Sequence, residues 1–266
     1  RLLRVKYKDM RRIVFSLAVL MFAGVLSAAA QQDTVRTQAP DNDAILRETI
    51  NSASPYYYPT LFTRYLTGDT TLTDTDYRYL YYGFVWRPEY KPFETPAARD
   101  KILQILEADS LNEADYRRVI AYGNEVLKKE PFDPGAINFL IYAYGGIGDT
   151  LNERINYYRL QGVLNAIKSS GTGLSEESPW HIIYFSHVRD FLASENIICG
   201  KERVISRTVA YTPLLVKEKG VKGYYFDFGR IYWQRPDKEP EKRSSGWEFN
   251  GLPLKRRAAP SVEKVE

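Results

Sequence analysis

Gly68-Asp69-Thr70-Thr71-Leu72-Thr73, Asp109-Ser110-Leu111-Asn112 and Gly148-Asp149-Thr150-Leu151-Asn152 are three versions of one local message. Their aspartates are spaced by 40 residues, Leu-Asn-Glu recurs at 111–113 and 151–153, and Asp-Tyr-Arg recurs at 76–78 and 115–117. Each segment reads as a turn between two helices. Gly68 and Gly148 accept the left-handed backbone that ends a helix, and Thr73, Asn112 and Asn152 stand where the next helix needs its N-cap.

Working outward from these turns, the chain predicts three helical hairpins over residues 43–169. The first pairs Pro59–Thr67 with Asp74–Phe84, the second Pro96–Ala108 with Glu113–Lys129, and the third Pro134–Gly146 with Glu153–Ser169. Thr95-Pro96 and Asp133-Pro134 each supply a cap followed by an N1 proline. Apolar residues fall at helical spacing, as in Ile102, Leu103, Ile105 and Leu106. Three such units are about the minimum that buries a continuous solenoid core. In the third, Pro131, Leu140, Tyr144, Gly148 and Tyr157 resemble a tetratricopeptide repeat, although Glu153 or Arg154 occupies the small-residue position of that pattern.

After Ser169 the texture changes. Gly171 to Pro179 reads as a loop, and Trp180–Phe191, Arg203–Leu215 and Lys222–Trp233 read as three β-segments separated by turns at Gly200 and Gly220–Gly223. The predicted class is therefore α+β: tetratricopeptide-like hairpins followed by a small antiparallel three-stranded sheet over 170–235, packed on the helices in one domain. Residues 236–266 carry seven basic and six acidic side chains without apolar period and read as a disordered tail.

The beginning of the chain reads as an address. Arg11-Arg12 precede an uncharged 14-residue run, Ile13–Leu26, which leads into Ser27-Ala28-Ala29-Ala30. That is the pattern of a signal peptide cleaved after Ala30, with Met10 as the natural start and residues 31–42 as a flexible leader into the fold. The run is shorter than the about 20 apolar residues that span a bilayer, so no integral anchor is expected after cleavage. The formal charge of +4 belongs to this segment. Six basic residues and one acid leave with it, so 37 against 33 becomes 31 against 32, a charge of −1. A near-neutral mature chain without a basic patch gives no support to a nucleic-acid partner. Twenty of the 21 tyrosines remain.

Nine tyrosines and Trp86 crowd the stretch Tyr56–Phe93. Tyrosine and tryptophan pair a flat apolar face with a polar handle, which suits stacking on sugar rings or a protein partner. Tyr77, Leu80 and Tyr81 share one helical face and are expected in the core, which leaves Tyr57, Tyr79, Tyr82 and Trp86 as the candidate binding surface. Chemistry is harder to place. His181 and His187, the only histidines, fall on one predicted strand and would lie about 20 Å apart. Cys199 sits in an apolar stretch with nothing local to mark a nucleophile. Asp74, Asp76, Glu89 and Glu94 are acids near aromatics, as a glycosidase needs, but the first two also suit the positive end of a helix. Gly145-Gly146-Ile147-Gly148 lacks the lysine of a phosphate loop. No catalytic residue, metal or cofactor is assigned.

Several blocks in order carry a family resemblance: Ser54-Pro55-Tyr56-Tyr57-Tyr58-Pro59, Gly68-Asp69-Thr70-Thr71-Leu72, Tyr77-Arg78-Tyr79-Leu80-Tyr81-Tyr82-Gly83, Pro88-Glu89-Tyr90 and Lys222-Gly223-Tyr224-Tyr225-Phe226-Asp227. Together they resemble the exported bacterial proteins of the domain-of-unknown-function 4919 family, across about residues 45–235. The resemblance implies a secreted or periplasmic protein and brings no activity, cofactor or catalytic residue. The expectation is an exported, non-catalytic binding or scaffold module with an unidentified protein or glycan partner; the alternative is a periplasmic hydrolase acting on glycan or cell-wall material.

Overall fold

The structure is a computed structural model and describes residues 37–108, 110–218 and 220–234, with the short segments 248–249 and 252–253. The expected export segment and most of the leader lie outside the described residues. Eight α-helices and a four-stranded mixed sheet occur among them: α1 (Asn42–Ile50), α2 (Tyr58–Leu66), α3 (Asp74–Gly83), α4 (Ala98–Leu106), α5 (Glu113–Lys129), α6 (Pro134–Gly146), α7 (Thr150–Lys168) and α8 (His187–Ser194), with β1 (Trp180–His181), β2 (Arg203–Val204), β3 (Val209–Glu218) and β4 (Val221–Asp227).

The turn chemistry sets the helix ends. Gly68 has φ 77°, and behind it Asp69 N–H donates to Arg64 O at 3.0 Å and Gly68 N–H to Tyr65 O at 3.2 Å, closing α2. Thr73 then opens α3: its hydroxyl accepts from Asp76 N–H at 3.2 Å while the Asp76 carboxylate accepts from Thr73 N–H at 2.8 Å. Asn112 and Asp115 repeat the same reciprocal pair on α5. Gly148, φ 74°, closes α6 as Gly68 closes α2. The next cap is Asp149 rather than Asn152, which donates its N–H to Asp149 Oδ1 at 3.1 Å, so α7 begins one turn earlier than predicted. Nor does Thr95 cap α4, which starts at Ala98 without a side-chain cap. At the N-terminal side the fold begins before the predicted residue 43: Pro40 is buried, and Asp41 caps α1 by accepting from Ala44 N–H.

The hairpins do not stack one, two, three. Helices α4 to α7 pack on their neighbours in sequence order, but α3 packs on α7, and α1 and α2 pack on α3. The connection from α3 to α4 holds the 3-10 turn Phe84–Trp86 and then Pro88, Pro92 and Pro96, which cannot continue a helix and so free the first hairpin to join the far end of the array. The simple tetratricopeptide-like stack is corrected accordingly. At the α3–α7 contact a Cβ on Gly162 would stand 2.3 Å from Tyr77 Cδ2, so only a glycine lets the two helices approach this closely.

The β-region departs further from expectation. The sheet order is β1-β4-β3-β2, with β1 parallel to β4 and the other pairs antiparallel. The predicted strand Trp180–Phe191 keeps two residues as β1; the chain then turns, and α8 buries His187, Val188, Phe191 and Leu192, the spacing of one helical face. The predicted strand Arg203–Leu215 folds back on itself, Ile205 N–H donating to Val209 O at 2.9 Å. The third ends at Asp227, followed by a 3-10 turn at Ile231–Gln234. Within the predicted tail, Glu248–Phe249 pairs antiparallel with Leu252–Pro253; the rest of it lies outside the described residues.

One apolar cluster runs from Leu61, Leu80, Tyr81 and Tyr82 through Leu164 to Ile183, Phe191 and Phe226, so helices and sheet share a core. A smaller cluster, Ala98, Ile102, Val119, Val126, Ala136 and Ala143, joins α4, α5 and α6. Gly162→Ala is expected to cost about 1–3 kcal/mol in urea denaturation, because the Tyr77 ring has nowhere to go. Gly145→Ala, which meets only the flexible end of Glu153, is the control and should stay at or slightly above the parent stability.

Candidate functional site

The four aromatics predicted as a surface do not form one. Tyr82 is fully buried and donates its hydroxyl to His181 O at 3.0 Å. The reason is that α3 is covered on several sides, by α7, by α1 and α2, and by the segment after β1, so it buries more than the one face its period suggests. Tyr79 is half-buried and stacks on Tyr56 with centroids 4.0 Å apart. Tyr57, also half-buried, precedes α2. Trp86 lies against a residue far away in sequence, Trp233, at 5.8 Å.

That last contact opens onto a larger aromatic ledge. Phe93 meets Phe185 at 6.5 Å, Phe185 meets Phe228 at 5.2 Å and Tyr232 at 6.1 Å, and the next residue, Trp233, meets Trp86. Phe93, Phe185 and Trp233 are 47%, 40% and 50% exposed, which is unusual for rings that could have been buried. Arg230 underlies the ledge. It is buried, its Nη2 donates to Pro40 O at 3.0 Å and Asn42 Oδ1 at 2.6 Å, and its guanidinium lies 5.0 Å from the Tyr82 ring and 5.7 Å from that of Trp233.

The ionisable groups converge elsewhere. Arg99 on α4 is held between Asp133, which caps α6, and Asp190 on α8; Glu130, at the end of α5, is buried beside them. Burial, with the Asp133 carboxylate second, pushes Glu130 up to about 8 against the pull of Arg99. The same two causes raise Asp190 to about 6. His187, fully buried, accepts or donates through Nδ1 to the Tyr81 hydroxyl at 2.8 Å, and burial lowers it to about 3, so the ring is neutral. Because Tyr81 O also accepts from Ile183 N–H at 3.4 Å, its own proton is free to point at Nδ1. Sequence spacing missed this cluster entirely. Its one local trace is the rigid corner Glu130-Pro131-Phe132-Asp133-Pro134, which places two acids at a turn that proline prevents from moving.

The remaining candidates have structural partners. His181 Nδ1 is 3.0 Å from Arg230 Nη1 and 3.3 Å from Asp227 Oδ1. Burial pushes the Asp227 carboxyl up, but hydrogen bonds from His181, Gly229 and Thr208 prevail and leave it below its ordinary value. His181 and His187 are therefore not two positions of one strand, as predicted, but members of separate networks. Cys199 is half-buried, its thiol raised by burial, and no hydrogen bond joins it to either histidine among the described residues. Asp76 serves the α3 capping box and Asp74 accepts from Asn165 Nδ2 at 3.0 Å, while Glu89 and Glu94 are exposed. Among the described residues no group of His, Cys, Asp and Glu is placed to hold a metal ion, and no helix is long and apolar enough to cross a membrane.

A family model described as "Domain of unknown function (DUF4919)" matches residues 43–235. The chain belongs to this family. The match takes in the Arg99 cluster and the whole aromatic ledge of this DUF4919 protein, though not Pro40 and Asn42, which bind Arg230. Comparison with curated proteins and with solved structures gave no match.

The cluster makes a pH prediction. A folded-state carboxyl held above its unfolded value favours the protonated fold; this advantage is complete below the ordinary carboxyl range and is lost as pH rises to about 8 for Glu130. Between pH about 7.5 and 8 the His187 ring is almost fully neutral in both states and Asp190 is past its titration, so Glu130 sets the slope. Stability measured by chemical denaturation should fall across that window. Glu130→Gln should flatten the fall; an unchanged slope would remove Glu130 from the cluster's titration.

Proposed function

We propose that this DUF4919 protein is an exported, non-catalytic binding or scaffold module, and that its ligand face is the aromatic ledge of Phe93, Phe185, Tyr232, Trp233 and Trp86. The observation that carries the reading is the exposure of three of these rings on a support that is itself immobilised. Arg230, pinned by Pro40 and Asn42, and Phe228, packed in the core, hold the ledge from beneath. Half-exposed rings on a rigid support suit partners that offer a flat apolar face, such as the sugar rings of a glycan chain. The export reading is supported by Arg11-Arg12, the apolar run Ile13–Leu26 and the Ala28-Ala29-Ala30 end. Asp74, Asp76 and both histidines are tied into a cap and internal contacts, and among the described residues no hydrogen bond or ion pair joins the two exposed acids, Glu89 and Glu94, to either histidine, which favours binding over turnover.

Two of the chain's four tryptophans sit on the ledge, so intrinsic fluorescence reports occupancy directly. Titration with soluble cell-wall and plant-type glycan fragments should produce a saturable change for at least one class, and Trp233→Ala should weaken it by about tenfold, the loss of roughly one stacked ring. Release of reducing ends from any of these glycans, abolished by substituting an acid, would instead establish the hydrolase. Saturable binding unaffected by Trp233→Ala and Phe185→Ala would move the ligand off the ledge.

A further inference from the structure

The outer edge of the sheet carries chemistry that neither the ledge nor the carboxylate cluster uses. From Ile198 to Ile205 the chain follows the free side of β3: Leu215 N–H donates to Ile198 O at 2.9 Å, Gly200 N–H donates to Pro213 O at 2.8 Å, and Arg203 and Val204 lie opposite Tyr211 and Ala210. Four aliphatic side chains stand out of this edge, Ile198, Val204, Leu215 and Val216, with Val204 83% and Leu215 68% exposed. Interleaved with them are the exposed cations Lys201, Arg203 and Arg207, and Arg189 on α8 faces a shallow groove of about 840 Å³ shared with Ile198, Cys199 and Lys201. None of these four cations makes a salt bridge among the described residues, although Arg189 lies close enough to Glu202 and Asp190 to stabilise their charged forms, and Glu202 is the one acid between residues 198 and 207. In a chain whose charge after export would be −1, this is a local concentration of positive charge that the net value hides.

We propose that this edge is a docking face for the surface of an anionic phospholipid bilayer. The complementarity has two parts. Clustered exposed guanidinium and ammonium groups are attracted to an anionic surface, which supplies phosphates in any number and without fixed register. Aliphatic side chains this exposed have almost no protein wall around them, whereas the anchors of a peptide groove are walled on both sides; a fluid interface closes around such side chains by itself. The exposed aliphatic side chains, on the strand edge at Ile198 and Val204 and on β3 at Leu215 and Val216, suit shallow insertion at the boundary between headgroups and acyl chains. This inference goes beyond the glycan-binding reading and stands on different residues, so either can fail without the other.

The chain from Gln31 onward, which contains every described residue and lacks the apolar run that would itself enter a bilayer, is mixed with phosphatidylcholine vesicles with and without phosphatidylglycerol and sedimented. Binding to the anionic vesicles, reduced in high salt and absent for pure phosphatidylcholine, is expected. The pair Lys201→Glu and Arg203→Glu should weaken it by at least about tenfold, and the pair Leu215→Ser and Val216→Ser should do so as well while retaining the parent melting temperature. Equal binding to both vesicle types, binding to neither, or binding unaffected by both pairs overturns the proposal. Capture of an acidic peptide by this edge without vesicle binding overturns it too, and assigns the face to a peptide.

Discussion

Buried tyrosine hydroxyls fasten the helical half of this fold to its sheet half, and one helical hairpin to another. Tyr82 O–H reaches His181 O at 3.0 Å, Tyr90 O–H reaches Ile183 O at 2.6 Å and Tyr65 O–H reaches Pro131 O at 2.5 Å, each from a ring packed in the core. The carbonyls of Ile183 and Pro131 lie in irregular backbone, after a two-residue strand and at a proline corner, and that of His181 belongs to the last residue of that short strand. A buried carbonyl without a donor is costly, and a phenol is the apolar filler that also brings one. Burial raises both the Tyr82 and Tyr90 phenols above their ordinary range, Tyr90 well above it, so these groups act as fixed donors. The tyrosine richness of the sequence is thus chiefly an architectural solution.

The Arg99 cluster makes the second tie, joining α4, the α5–α6 corner and α8 through groups that are expensive to bury apart and tolerable together. With both histidines and the buried acids committed to internal contacts, two surface features stand out: half-exposed rings including Phe93, Phe185 and Trp233, and a cationic aliphatic edge along 198–205. Both suit recognition of extended, repetitive partners.

What was legible in the sequence was local. Gly68, Gly148, Thr73, Asn112 and Asp133 act within a few residues of themselves, so the hairpins could be read to within one turn. Where two caps competed, Asp149 prevailed over Asn152 because the preceding glycine had already placed it at the helix start. The β-region was misread because the predicted strand Trp180–Phe191 is strand for its first two residues only and runs into a helix from His187. Tyr82 was misplaced because helical period reveals one buried face and not how many neighbours a helix has. The Arg99 cluster was out of reach, since its partners Asp133 and Asp190 are 34 and 91 residues away.

The central claim is that these phenols are fasteners and not a binding surface. The direct measurement is the unfolding free energy of the double variant Tyr82→Phe and Tyr90→Phe, with Tyr157→Phe on the exposed side of α7 as the control. Each core hydroxyl removed should cost about 1–3 kcal/mol, so the double variant should lose at least about 2, while the control stays within about 0.5 of the parent. A double variant as stable as the parent would contradict the account.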